Sequence, residues 1–339
     1  MRIITASLAA VSLTAIALTA SPAVQAQSSS SSSASRVTDN YGPLTVKLPK
    51  GLKKSDLGKR DVRNIAIQVM LDRSRHSPGV IDGRGGGNTE RAIAAYRKAN
   101  GLKDGTHIDT KLIRSLLDSQ TGDIFRTYTV TDKDMNYEFV EIPNDFEAKS
   151  KLKRLSYTTA LERFAENFHM DQDFLKAMNP KVDFGKLKAG DKLNVVSRRT
   201  APLDIDIAVI EIRKGDGELV ALDKDGKLLA SFPATIGSSD FPSPSGDMEV
   251  NAIAPAASYT FDPDDQKWGP DKKFMIAAGP NNPVGGVWID LSKDGYGIHG
   301  SPDPQLIGKT NSHGCVRLTN WDARELMKAV KRGTPVKFV

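Results

Sequence analysis

The sequence predicts a multidomain α+β protein: a small three-helix bundle, a second small α/β module, and a C-terminal domain of mainly antiparallel β-strands. Three observations predict it. The 339 residues exceed what one hydrophobic core usually organises, so two or three domains are expected. Apolar residues recur at helical spacing from Asp56 to about Gln120, and helical and strand patterns mix from Phe125 to Val196. From Pro202 to Val339 the apolar residues alternate between turn signals, which is a strand texture.

The chain opens with Arg2, an apolar run from Ile3 to Ala20, Pro22 and the stretch Val24-Gln25-Ala26. That is the layout of a secretory signal peptide spanning residues 1–26 and cut after Ala26. An uncleaved anchor is the alternative, since roughly 18 apolar residues just span a bilayer, but no basic stop-transfer flank follows. No cysteine stands near the cut, which excludes a lipid-anchored lipoprotein. The expected location is outside the cytoplasmic membrane, in periplasm or cell wall. Ser28 to Ser33 then starts a polar tract without periodicity, so residues 27–55 are predicted to be a flexible tether.

In the bundle, residues 56–120, Ile65, Val69 and Met70 mark a first helix. Asp82-Gly83 and Gly85-Gly86-Gly87 break the chain. Asn88 is the predicted cap of a second helix carrying Ala92, Ile93 and Tyr96, and Asp109 the cap of a third carrying Leu112, Ile113, Leu116 and Leu117. In the next module, residues 125–198, Tyr128 to Val130 reads as a strand. Leu161, Phe164, Ala165 and Phe168 form one helix face, Asp171 caps a helix that ends at Asn179-Pro180, and "LKAGDKLNVV" closes with a turn and a strand. In the last domain, residues 203–339, "IDIAVIEI", a turn at Lys214 to Gly217, the turn "KDGK" and a strand from Leu228 to Ile236 predict a meander. Thr319 to Asp322 resembles a capping box opening a late helix, and Pro335 to Val339 is a final strand.

The formal charge of +6 becomes +5 when Arg2, the one charged residue of the signal segment, is removed. This suits an anionic polymer or membrane surface. Basic residues are scattered among acids and not interleaved with aromatics, which is no nucleic-acid signature. Cys315 is the single cysteine, so no intramolecular disulfide can form; an inert, intermolecularly paired or reactive thiol remains.

Two of the five histidines lie near that thiol, His299 in "YGIHGSPDP" and His313 in "SHGCVRL". A cysteine nucleophile needs a base to form thiolate and an acid to protonate a leaving amine, and imidazole serves both near neutral pH. Gly314 suggests a turn whose N–H groups, around His313, Gly314 and Cys315 with Ser312 beside them, can hold an oxyanion. The base then arrives from elsewhere, and His299, followed by Gly300, is well placed. Its second nitrogen needs an acceptor, for which Asp303 and a backbone carbonyl at or near Gly300 both qualify. Arg317 can bind a substrate carboxylate or support the loop. The segment from Ala257 to Asn282, with Tyr259, Phe261 and Trp268, is either a lid over the substrate or a surface loop. Zinc chemistry at His299, His313, Cys315 and Asp303 is the competing reading, but no HxxxH or CxxC spacing supports it, so no metal or cofactor is expected.

A histidine with Gly after it, then Ser-His-Gly-Cys, an apolar residue and Arg, resembles the active-site motif of the L,D-transpeptidases, with His299 thirteen positions before Ser312. The likeness extends from about Ile205 to Val339 and includes "TIGSSDFPSPSG" and "PNNPVGGVWIDL". It implies a cysteine acyltransferase in which Cys315 attacks a peptidoglycan tetrapeptide stem, His299 moves protons, and D-alanine leaves a thioester. Transfer to a neighbouring stem then gives a 3–3 cross-link; a wall protein or free D-amino acid is another acceptor, and water makes it a carboxypeptidase or a wall-protein-releasing hydrolase. The string from Gln68 through "VIDGRGGGNTERAIAAYRKANGL" to Gly105 resembles a peptidoglycan-binding domain, with Arg97 where that family often has Gln. The module after it is similar to a LysM unit with an insertion between Met135 and Tyr157. The upstream modules either bind wall glycan or act as spacers, and a non-catalytic wall-binding protein is the alternative from another functional class.

Overall fold

The computed structural model describes residues 44–237, 242–264, 269–312 and 314–339. The predicted signal segment, the serine run, Trp268 and His313 lie outside the described residues.

Three helices come first. Asp61 caps α1 (Val62–Arg73) through the Arg63 N–H, α2 (Gly87–Ala99) follows the glycine break, and Asp109 caps α3 (Thr110–Asp118), accepting from the Leu112 N–H at 2.8 Å. Ile67, Met70, Ile93, Tyr96, Leu112 and Leu116 bury their side chains where these helices meet. Asn88 is not the cap of α2, which starts one residue earlier behind Gly86. Its amide reaches out of the bundle instead and donates to the Ile307 carbonyl at 2.9 Å.

The chain continues through β1 (Phe125–Thr129), α4 (Asp132–Met135), α5 (Phe146–Ser150), α6 (Ala160–Asn167), α7 (Gln172–Met178) and β2 (Lys192–Val196). β1 and β2 pair antiparallel from Phe125↔Val196 to Thr129↔Lys192. Asp171 caps α7, and Phe164, Phe174, Leu175 and Met178 fill the space between helices and strands.

This module shares one core with the bundle. Leu52, Leu57, Ile65, Val69 and Ile81 pack in the same cluster as Phe125, Phe164 and Leu193, and Val46 and Leu48 lie against it. Residues 44–55, predicted as part of a flexible tether, are therefore integral to the fold: their apolar side chains cover surface that the bundle alone leaves open, and a short 3-10 turn follows at Lys54–Leu57.

The C-terminal region adds β3 (Val209–Arg213), β4 (Glu218–Leu222), β5 (Leu228–Pro233), β6 (Gly246–Ala254), β7 (Tyr259–Phe261), β8 (Phe274–Ile276), β9 (Trp288–Leu291), β10 (Gly297–His299), β11 (Val316–Arg317), α8 (Asn320–Ala329) and β12 (Pro335–Phe338). Eight of these strands form one sheet in the order β11-β10-β9-β6-β12-β3-β4-β5, while β7 and β8 make a separate hairpin. The sheet is not antiparallel throughout. β12 runs parallel to β3, and β10 parallel to β11; β10 and β11 are joined by a long loop, the kind of connection parallel neighbours require. Thr319 caps α8 by accepting from the Asp322 N–H.

The bundle covers the β5 edge of this sheet. Ser77 donates to the Ser231 carbonyl at 2.9 Å, Ser231 donates back to the Arg75 carbonyl at 3.0 Å, and Ala95 of α2 packs on Val220 and Leu228. An exposed edge is thereby closed. The insertion after α4 grips the C-terminal region in turn: Phe146 lies 4.9 Å from the Phe261 ring, and Leu155 bonds to Ala278 and Asn281 through its backbone.

Leu57 is fully buried in the shared core. Leu57→Ala is expected to cost about 2–5 kcal/mol and to lower a single unfolding transition common to helix and sheet probes in a denaturant titration. Two separate transitions, with only the helical one moved, contradict a shared core.

Candidate active site

Three short strands set the geometry of the site. In β9, β10 and β11 alternate side chains point to opposite faces, and Ile289, Ile298 and Val316 take the core side, all fully buried. Trp288 and His299 are therefore on the other face, opposite one another in the antiparallel β9–β10 register. The parallel pairing Ile298↔Val316 and His299↔Arg317 continues this face onto β11. One step back along that register, Cys315 stands opposite Gly297. Cys315 lies in the bend that leads into β11, next to β10, whose last residue is His299, and its thiol is turned to the backbone of Gly295 and Gly297.

Glycine at 297 keeps this face open. A Cβ there would lie 2.4 Å from the Trp288 ring, so the indole occupies the volume a side chain would need. The same indole stacks on His299, with ring centroids 5.5 Å apart and planes 21° off parallel.

The imidazole is buried, and its Nδ1 lies 2.7 Å from the Gly300 carbonyl. A carbonyl only accepts, so Nδ1 carries the proton and Nε2 keeps its lone pair. Burial, reinforced by the Arg317 charge and opposed by the Gly300 carbonyl, brings the His299 pKa down to about 4. The ring is neutral at pH 7. Asp303, the other predicted partner, uses its backbone N–H toward Ser301 Oγ, and the tautomer is set by Gly300.

The Cys315 thiol points to the Gly295 carbonyl at 3.5 Å. Burial of the sulfur pushes its pKa up, against a backbone hydrogen bond from Gly297 and the Arg317 charge. The thiol and the imidazole are thus both uncharged at rest. Arg317 is partly buried, its backbone pairs with Thr235 in both directions, and among the described residues its guanidinium makes no ion pair. Its Nε is buried without a partner.

Two serines hold the turn before the thiol. Ser312 donates through Oγ to the Cys315 carbonyl at 2.5 Å and accepts from the Gly314 N–H at 3.1 Å. Ser243 donates to the Gly314 carbonyl at 2.5 Å and accepts from the Gly237 N–H at 2.9 Å. Gly314 sits at φ +114°, a conformation open to glycine, with the Tyr296 ring where a side chain would go. Because the Gly314 N–H is committed to Ser312, the Cys315 N–H is the described amide of this turn with no acceptor, and the one available to an oxyanion.

Cys315, His299, Gly300, Ser312, Gly314 and Arg317 are therefore brought together. Tyr259 is instead in the β7–β8 hairpin, its ring 6.3 Å from Phe146 of the upstream insertion. Among the described residues no group of three His, Cys, Asp or Glu side chains is arranged to hold a metal ion. Trp288, Tyr296 and Ser243 were not singled out from the sequence. The alternation of Val287, Ile289 and Leu291 against Trp288 and Asp290 was the signal available for Trp288; nothing local marks the other two.

Residues 207–338 match the YkuD family, described as an L,D-transpeptidase catalytic domain. A putative L,D-transpeptidase YqjB of Bacillus subtilis is 30% identical over 140 residues, covering 40% of this chain and 72% of that protein. A putative L,D-transpeptidase YkuD of Bacillus licheniformis is 28% identical over 181 residues, 52% of this chain and 92% of that protein. The probable L,D-transpeptidase YbiS of Escherichia coli is 28% identical over 187 residues; the match spans 54% of this chain and 60% of that protein. Among solved structures, an L,D-transpeptidase from Mycobacterium smegmatis aligns with a TM-score of 0.32 at 20% identity, over 44% of this chain and 63% of that one.

With the imidazole neutral and the thiol pKa raised, alkylation of Cys315 by iodoacetamide should show no thiolate plateau between pH 4 and 8 and should climb only at alkaline pH. Arg317→Ala is expected to move the climb to higher pH, since the guanidinium favours thiolate. A flat, fast rate from pH 5 upward, read by intact mass, contradicts this resting state.

Proposed function

The chain belongs to the L,D-transpeptidase family, and from that premise we propose that it is a cysteine acyltransferase acting outside the cytoplasmic membrane on peptidoglycan tetrapeptide stems. The arrangement that supports the reading is Cys315 in the bend leading into β11, the strand paired with β10 that ends at His299, together with an imidazole whose Nδ1–H is committed to Gly300 so that Nε2 keeps its lone pair.

As the stem's diaminopimelate carbonyl arrives, the Cys315 thiol proton passes to His299 Nε2 and the sulfur adds to the carbonyl carbon. The Cys315 N–H, with any donor that His313 supplies, holds the oxyanion. The imidazolium returns its proton to the leaving nitrogen, the C–N bond breaks, D-alanine departs and a thioester remains. An amine of a neighbouring stem then attacks; its proton goes to His299, the C–S bond breaks, and the thiol is restored as a 3–3 cross-link forms. An amine of a wall protein follows the same path. The raised thiol pKa suits this order, because proton removal is coupled to attack and not completed beforehand.

Arg317, with no carboxylate partner among the described residues, is the proposed anchor for a stem carboxylate, and the segment carrying Tyr259 is the proposed lid over the acyl chain. Residues 1–26 act as the export signal in this reading, and among the described residues no helix is long and apolar enough to cross a membrane. The two upstream modules resemble peptidoglycan-binding and LysM units, and we assign them contact with wall glycan.

Incubation of the mature protein with tetrapeptide muropeptides should release D-alanine and yield cross-linked dimers by mass spectrometry. Cys315→Ala is expected to abolish both, and His299→Ala to lower turnover by about 10²–10⁴-fold, the usual contribution of a general acid–base. Products unchanged in Cys315→Ala sink the proposal.

A further inference from the structure

Away from Cys315 and His299, one buried carboxylate that the proposed chemistry does not touch accepts hydrogen bonds from three side chains. Glu166, on α6 of the upstream module, is buried. Its Oε1 accepts from Tyr157 Oη and from Arg324 Nη2 of α8, each at 2.5 Å. Its Oε2 accepts from Asn320 Nδ2 at 2.8 Å. Two protein regions far apart in sequence therefore meet on one carboxylate.

Asn320 carries the contact onward. It is fully buried, donates a second hydrogen bond to the Pro280 carbonyl at 3.1 Å, and through Oδ1 accepts from the Ser301 N–H at 3.0 Å. That oxygen is wedged between two backbones: a Cβ at Gly285 would lie 1.8 Å from it, and one at Gly300 2.3 Å. Both positions are occupied by glycine, which lets the Asn320 amide reach the Gly300–Ser301 peptide and bond it directly. The Gly300 carbonyl is the group that holds His299 Nδ1 at 2.7 Å. The Leu318 N–H, just before α8, also bonds the His299 carbonyl at 2.8 Å.

We propose that Glu166 is a positioning residue for the base: by orienting the Asn320 amide it fixes the Gly300 carbonyl, and with it the tautomer and direction of the His299 ring. The upstream module is on this account a component of the acyl-transfer site and not solely a wall-binding attachment. A carboxylate is suited to the task because it only accepts; it dictates that the Asn320 NH₂ faces α6 and the carbonyl oxygen faces Ser301. A neutral amide at 166 can present its own NH₂ to Asn320 and invite the reverse orientation, which sets a carbonyl against the Gly300–Ser301 peptide only in part of the population.

The proposal rests on His299 being the base. Its test compares wild type, Glu166→Gln, Asn320→Ala and the double variant in the full mature protein. Misplacing a reacting group by about 1 Å costs on the order of 10²-fold. A kcat loss of about that size is expected in each single variant, with KM nearly unchanged, because no substrate contact is removed. The double variant is expected to lose no more than Asn320→Ala alone, since Glu166 acts through Asn320. Exchange of the His299 Nδ1–H proton with solvent, followed by NMR, should quicken in both single variants while the alkylation rate of Cys315 stays at the wild-type value. Wild-type kcat with unchanged proton protection in Glu166→Gln, or losses that simply add in the double variant, overturns the proposal. Should Glu166→Gln not fold, Asn320→Ala with an unchanged His299 proton overturns it equally. The NMR readout needs no turnover, so a wild type inactive on muropeptides refutes the functional reading while the positioning of His299 is still tested.

Discussion

The parallel pairing of β10 with β11 is the constraint on which the site depends. Ile298 and Val316 are fully buried and paired with each other, so the hydrophobic core decides the register. A slip of one residue would bring His299 and Cys315 into the core and turn Ile298 and Val316 outward, at a cost of roughly 1.5–3 kcal/mol for each apolar side chain exposed. The placing of the two strands that carry His299 and lead from Cys315 is thus a by-product of core packing, and no direct bond between the two side chains is needed to maintain it.

The electrostatics follow from where that face lies. The imidazole is enclosed by Trp288 and by the loop that Asn320 fills, and a buried imidazole avoids its charge. Arg317, its register partner, adds to the effect and at the same time stabilises anions nearby. One guanidinium therefore opposes imidazolium and favours thiolate and oxyanion. Together these influences leave the site without charge separation at rest; in the proposed reaction it develops only when a carbonyl is present to take the sulfur.

Much of the local structure was legible in the sequence because its causes are local. The caps at Asp109, Asp171 and Thr319 need only one oxygen and the next turn's N–H groups. The pairing of His299 with a backbone carbonyl at Gly300 is legible for the same reason, although the sequence offers Asp303 as a second acceptor. What stayed hidden is non-local. Asn88 has the chemistry of a cap but bonds across to Ile307, and the polar segment 44–55 contributes Leu52 to a core that periodicity assigns to no element. The commitment of the Gly314 N–H to Ser312, the indole over Gly297 and the carboxylate of Glu166 behind Asn320 all require the fold before they acquire meaning.

The central claim is that a neutral His299, held by Gly300 beside Cys315, takes the thiol proton as the sulfur attacks. Single-turnover acylation of Cys315 by a tetrapeptide stem, followed by intact mass across pH, tests it most directly. With the imidazole pKa near 4, the rate should hold steady from neutral pH downward and fall only as the solution approaches that value. A rate that already collapses through pH 6.5 would mean that the base carries an ordinary, solvent-like pKa, and would contradict the account.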